Sequence, residues 1–193
     1  FVFNLMTRSK RITYDNLKAR DPKLVGRVDR AFDRHTGSAA PRPPAFVPFR
    51  ARGVELANRI VVSPMCQYSA EDGTVNDWHL VHLGSRAVGG AGLVIAEMTN
   101  VEAAGRISPG CAGLYRDEHR AAWKRIVDFT HRHSAAKIGI QLAHAGRKGS
   151  CSVPWVNGGG PLPRGGWPTL APSAIPFDDG WPIPKEMDRR DMD

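Results

Sequence analysis

Three short stretches of this chain place chemically capable side chains directly after apolar runs. Residues 58–69, NRIVVSPMCQYS, set Ser63, Pro64, Met65, Cys66, Gln67 and Tyr68 behind Ile60, Val61 and Val62. Residues 93–96 run into Glu97, Met98 and Thr99, and residues 137–143, KIGIQLA, contain Gln141 and lead to His144, Arg147 and Lys148. A thiol and thioethers are soft and polarisable. An amide buried in an apolar strand must find partners for its donors and its acceptor. It can pair with neighbouring backbone or with the edge of a planar heterocycle. His144 beside Arg147 and Lys148 suits an anionic or carbonyl ligand. Taken singly, each has a plainer reading: Cys66 as a small hydrophobe, Gln141 bonded to backbone, His144 as a satisfied histidine. What sets them apart is that all three sets stand at the ends of apolar runs.

Other constellations are weaker. His79 and His82 are three apart and could share a helical face, but no clustered Cys or carboxylate completes a metal set, so no metal is expected. Gly89–Gly92 precedes its apolar run, whereas a dinucleotide fingerprint follows one. The glycines at 158–160 and 165–166 lack the Lys-Ser/Thr ending of a phosphate loop, and no Gly-x-Ser-x-Gly elbow is present.

The elements that must position these residues read as alternating strands and helices. The run 60–62 has the pattern of a strand buried on both faces, within a strand spanning residues 59–63, and Pro64 closes it. Asp77 can cap a helix over 78–88 that stops at Gly89-Gly90, and Asp117 can cap a segment with Trp123, Ile126, Val127 and Thr130 on one face. The order strand, helix, strand, helix, strand predicts an α/β fold with a parallel sheet, whose strand ends meet on one side. Residues 49–56 read as a hairpin turning near Gly53, and residues 188–193 as the start of a further helix. Residues 151–184, rich in Gly, Pro and Trp, form a long aperiodic excursion of the kind found over active sites. Three parallel strands with open edges do not close a domain, and a (β/α)8 barrel takes about 250 residues. The chain is therefore expected to be part of a longer one, continuing at both ends.

Composition narrows the class. Hydrophobic residues make up 41 %, and no apolar run is long enough to span a bilayer. Three widely spaced cysteines do not make a disulfide framework and fit a cytoplasmic protein. The net charge is +8, but residues 1–37 carry nine Lys and Arg against four Asp, leaving little excess elsewhere. With no recognition module or interleaved aromatics, this reads as a solvated helical face and not a nucleic-acid site. Asp21-Pro22 opens a helix whose apolar face is Leu24, Val25, Val28, Ala31 and Phe32. Residues 1–37 read as the helical end of a preceding domain, residues 38–45 as a proline-stiffened linker, and residues 46–193 as the barrel part.

The motifs LANRIVVSPMCQYSAEDG, GLVIAEMTNVEAAGRISPG and KIGIQLAHAGRKGS, in that order, resemble the first three strand ends of the Old Yellow Enzyme family, in its branch with a cysteine near the flavin. The first segment, FNLMTRSKRITYDNLKARDP, is similar to the end of the flavin monooxygenase half of two-domain 2-aminobenzoyl-CoA monooxygenase/reductases and salicylyl-CoA 5-hydroxylase-like proteins. The resemblance implies the N-terminal part of an FMN-binding TIM barrel, passing hydride from NAD(P)H (NADH or NADPH) to an electron-poor alkene, with FAD in the preceding domain. It implies that Ser63, Pro64, Met65 and Met98 line the flavin, that Cys66 tunes its potential and that Gln141 bonds its pyrimidine portion. Tyr68, His144 and Arg147 would shape the substrate site. Met98 stands where the family commonly has a small residue, so its flavin contact is the weakest of these. The implied substrate is an aromatic acyl-CoA, in aromatic-compound degradation, and the implied assembly is a homo-oligomer. A stand-alone 2,4-dienoyl-CoA or enone reductase, or a non-catalytic piece of the family, are the alternatives. The family's paired histidines, tyrosine proton donor and phosphate loops would lie beyond Asp193.

Overall fold

The computed structural model describes residues 13–34 and 42–192. Residues 1–12, which carry part of the monooxygenase-like segment, and residues 38–41 of the expected linker lie outside the described residues. The chain divides into two compact units, Phe1–Ile60 and Val61–Asp193.

In the first unit, Asp21 accepts a hydrogen bond from the Leu24 amide at 2.9 Å, and Pro22 occupies the first turn of a helix over Pro22–Phe32 (α2), as the sequence predicts. A short helix, Tyr14–Arg20 (α1), precedes it and is capped by Thr13. It has no buried residue and only Tyr14 and Leu17 as an apolar pair, so no periodicity announces it. Tyr14 is pinned to α2 by donating its phenol to the Asp29 carboxylate, which pushes the Tyr14 hydroxyl up to about 12. Phe49–Ala51 (β1) and Val54–Leu56 (β2) form the expected antiparallel hairpin, with Arg52 at the turn in the left-handed region (φ 53°). The Arg59 guanidinium lies between the rings of Phe32 and Phe49, 5.1 and 4.9 Å from their centroids.

The second unit follows the predicted alternation. Its sheet has the order β3 (Val61–Val62), β4 (Leu93–Asn100), β5 (Lys137–Ala143), parallel throughout, with Val61 opposite Leu93 and Val94 opposite Ile138. The helices Asp77–Val88 (α3) and Asp117–His133 (α4) supply the crossovers. Val94 and Ala96 of β4 pack with Leu83 and Ala87 of α3 and with Trp123 and Ile126 of α4. Each large buried side chain in this core contributes roughly 1.5–3 kcal/mol. The helices approach closely at Gly84, where a Cβ would come within 2.8 Å of the Phe129 ring.

The structure corrects several details. The cap of α3 is Asn76, in a capping box with His79, and Asp77 sits in the first turn. The cap position of α4 is Arg116, again with the aspartate inside. The middle strand continues beyond Ala96 to Asn100 through an irregularity between Ala96 and Met98. The run 60–62 is not buried on both faces: Ile60 is 40 % and Val61 45 % exposed. β3 is an edge strand with helices on one side only, and a parallel strand is buried twice only where both faces are covered. The excursion carries one small parallel pair, Leu170–Ala171 (β6) with Lys185–Glu186 (β7), and a last helix forms at Arg189–Met192 (α5). Among the described residues no helix is long and apolar enough to cross a membrane.

Candidate functional site

The three strand ends converge. Ser63 and Met65 are exposed and Pro64 half-buried where the chain leaves β3. Cys66 lies near the end of β4, where the Met98 backbone favours its thiolate against the larger effect of burial. Met98 is in turn the register partner of Gln141 on β5. Ser63, Pro64, Met65, Cys66, Met98 and Gln141 thus belong to one end of one sheet.

Gln141 is not the buried amide expected. It is exposed, one residue out of phase with Ile138, whose side chain joins the helix-covered core, and so it stands on the uncovered face. No hydrogen bond of its amide is seen among the described residues, which leaves two donors and an acceptor for a ligand.

Burial, then Cys111 and then Glu97 push the Cys66 thiol up to about 11, against weaker help from the Met98 backbone. Cys66 is therefore a neutral thiol at ordinary pH. Tyr68 holds φ 53°, a strained conformation for a bulky residue. Its carbonyl leaves no room for a side chain at position 110, where a Cβ on Gly110 would approach to 2.4 Å. The ring stands edge-on to Trp155 at 5.7 Å, and burial raises the phenol's pKa.

His144 and Arg147 lie beyond β5 and are engaged within the protein. The His144 Nε2 faces Glu102 Oε1 at 2.7 Å, and its Nδ1 accepts from the Gly146 amide at 3.0 Å. The ring proton therefore points at the carboxylate. Arg147 donates to the Ile175 carbonyl and the Ser173 hydroxyl, both at 2.9 Å, tying the excursion to the strand end. Tyr68, Lys148, Ser152, Phe177 and Trp181 line a cavity of about 470 Å³, with the Lys148 ammonium 4.8 Å from the Phe177 ring centroid.

The sequence did not reveal what lies behind this turn. Glu97 and His79 are buried at 3 % and 1 % exposure, with Oε1 and Nε2 3.2 Å apart. That contact falls short of hydrogen-bond geometry, and His79 Nε2 has no hydrogen-bond partner among the described residues. The other carboxylate oxygen accepts from the Gln67 amide at 3.0 Å. His79 does not pair with His82 as a metal ligand would, and among the described residues no group of three or more His, Cys, Asp or Glu is placed to hold a metal ion. A glutamate at the end of an apolar run was the only available signal for this pair.

A planar heterocycle fits the convergent face. Gln141 offers an amide free at its polar edge, with Met65 and Met98 as soft contacts and a protonated thiol beside them.

Residues 44–162 match the model of the NADH:flavin oxidoreductase / NADH oxidase family. An NADH:flavin oxidoreductase of Gibberella zeae is 46 % identical over 153 residues, covering 77 % of this chain and 37 % of that protein. An NADPH dehydrogenase of Geobacillus thermodenitrificans is 46 % identical over 150 residues, covering 77 % and 40 %. The chain thus spans about two-fifths of the length of these relatives. Among solved structures, an Old Yellow Enzyme from Pichia sp. AKU4542 aligns with TM-score 0.64 at 26 % identity, over 77 % of this chain and 39 % of that one. Morphinone reductase aligns with TM-score 0.62 at 24 % identity, over 80 % and 42 %. The three-stranded arc with its outer helices is part of a (β/α)8 barrel. With more than half of its residues matched, the chain belongs to the NADH:flavin oxidoreductase / NADH oxidase family.

Proposed function

We propose that the protein is an FMN-dependent NAD(P)H oxidoreductase of the ene-reductase type, with the end of β3, β4 and β5 as one side of its flavin site. The observation that carries this reading is the convergence of Cys66, Met98 and Gln141, each from a different strand end, with no partner for the Gln141 amide seen among the described residues. When bound, FMN supplies hydride transfer from NAD(P)H to an electron-poor alkene. Gln141 would hold the polar edge of its pyrimidine, while Ser63, Pro64, Met65 and Met98 line it. Cys66 would place a protonated thiol where it tunes the flavin potential. Tyr68 would polarise the substrate, and His144 and Arg147 would hold the excursion against the strand end.

The finer reading is that this chain is the reductase part of a bifunctional aryl-CoA monooxygenase/reductase, with an aromatic acyl-CoA as substrate. Residues 1–37 would end an FAD-containing monooxygenase domain, residues 38–45 would be the linker, and the barrel would begin at 46. In support, the family match starts at residue 44, and the cavity beside Tyr68 combines aromatic walls with a lysine and no lining carboxylate. A cytoplasmic setting fits the three free cysteines. Ile140 and Leu142, exposed on the helix-side face of the edge strand β5, fit a protein covered further by the rest of its barrel or by a homo-oligomer. A second reading, a stand-alone 2,4-dienoyl-CoA or enone reductase, is favoured by the relatives named NADPH dehydrogenase. Anaerobic turnover with NADPH separates the two. The first requires reoxidation of the reduced flavin by a dearomatised aryl-CoA but not by simple enones, and the opposite preference selects the second.

A further inference from the structure

We propose that Glu97 and His79 are positioning residues, a buried carboxylate–imidazole pair that clamps the turn 65–69 to the sheet and sets a carboxylate behind Cys66. The clamp is drawn from three elements. Glu97, on β4, receives the Gln67 amide at 3.0 Å and faces His79 Nε2 at 3.2 Å. His79, on α3, has its Nδ1 3.2 Å from the Asn76 backbone amide and 3.1 Å from the Asn76 Oδ1, so its ring is tied to the helix start while Nε2 faces Glu97. Asn76 donates its side-chain amide to the Ser69 carbonyl at 2.8 Å, and Trp78 donates its indole N–H to the Gln67 side chain at 3.0 Å. Residues 67 to 69 are therefore held from the helix start and from the next strand at once.

Neither buried group is idle. Both are buried, with His79 edge-on to Trp123 at 6.5 Å. A carboxylate taken out of water is retained only where hydrogen bonds or a partner compensate. Its two oxygens serve two different elements, which a glutamate kept for solubility would not do. The groups that face Cys66 are Cys111 from the loop after β4, Glu97 from β4 itself and Tyr68 from its own turn. Of these Glu97 is the carboxyl group. The clamp stands on the geometry alone. Its consequence for flavin chemistry rests on the reading that this turn faces FMN.

The experiment is peptide-resolved iodoacetamide labelling of Cys66 across the alkaline range in the protein as isolated, for the wild type, Glu97→Gln and Glu97→Ala. The glutamine keeps an acceptor for the Gln67 amide and can donate to His79 in the tautomer that accepts on Nε2, so it removes charge and leaves the clamp. The expected result is a labelling midpoint at lower pH, with three- to tenfold faster labelling below it (about that range for loss of one nearby charge) and an unchanged plateau. The alanine removes the acceptor as well, and the plateau rises because the turn opens. A midpoint that stays at the wild-type value in Glu97→Gln overturns the proposal. So does an unchanged plateau in a folded Glu97→Ala protein. If the alanine variant does not fold, the glutamine midpoint decides alone. Failure of the flavin reading would show separately, as a wild-type protein that takes up no FMN.

Discussion

Cys66 and Tyr68 show how much a single position depends on what lies behind it. Burial raises the Cys66 thiol to about 11, so thiolate is scarce at neutral pH. The sign follows directly: burial disfavours the charged form, and the thiolate is the nucleophile. Alkylation of Cys66 in the ligand-free protein should run about 100-fold slower than that of a free cysteine at the same pH, since each pKa unit is tenfold. Labelling at the rate of a free thiol would mean the turn is open. Cys66→Ala should shift the flavin potential and leave FMN binding in place, as read by a redox titration. Tyr68 carries its strained φ because the carbonyl must lie flat on Gly110. Gly110→Ala cannot be accommodated there and should lower stability by about 1–3 kcal/mol, visible as a fall in Tm. An unchanged Tm would show that the turn has slack.

At the level of elements, the strands and helices were legible because their signals are local. The apolar run at 93–96 and KIGIQLA at 137–143 lie within β4 and β5, and α3 and α4 follow their apolar periods. The caps moved by one residue, since Asn76 and Arg116 stand just before the aspartates that looked like caps. Asn76 serves both the helix start and the Ser69 carbonyl. Asn76→Ala should cost about 1 kcal/mol as a lost cap, with more from the turn it releases, measurable by urea denaturation. The irregularity between Ala96 and Met98 was not legible. It decides which side chains of β4 turn toward α3 and which toward Gln141, and nothing in LVIAEMTN announces an extra residue. The Glu97–His79 pair was hidden for the same reason, because its partners are far apart in sequence and meet only through that register. The apolar surroundings of Gln141 in the sequence suggest a buried amide, whereas the structure exposes it. An apolar flanking sequence says that a strand is covered, and not by which part of the molecule.

For the whole molecule, the parallel order and the single helical layer place every candidate residue at one end of one sheet, which is where barrel and open α/β sheets bind ligands. The excursion after β5 is held there by Arg147, whose guanidinium reaches the Ile175 carbonyl and Ser173. Arg147→Met should leave the sheet intact and expose residues 170–180 to limited proteolysis, while equal resistance would mean the excursion is anchored elsewhere. The flavin site depends most on Gln141, the amide whose donors and acceptor have no partner within the described protein. The most direct measurement is a titration of FMN fluorescence with the full-length protein, in which the rest of the barrel is present, and with its Gln141→Ala variant. The wild type should bind stoichiometrically and the variant with an affinity about tenfold weaker, the loss of one or two hydrogen bonds. Equal affinity in the two proteins would contradict the placement of the flavin on this face.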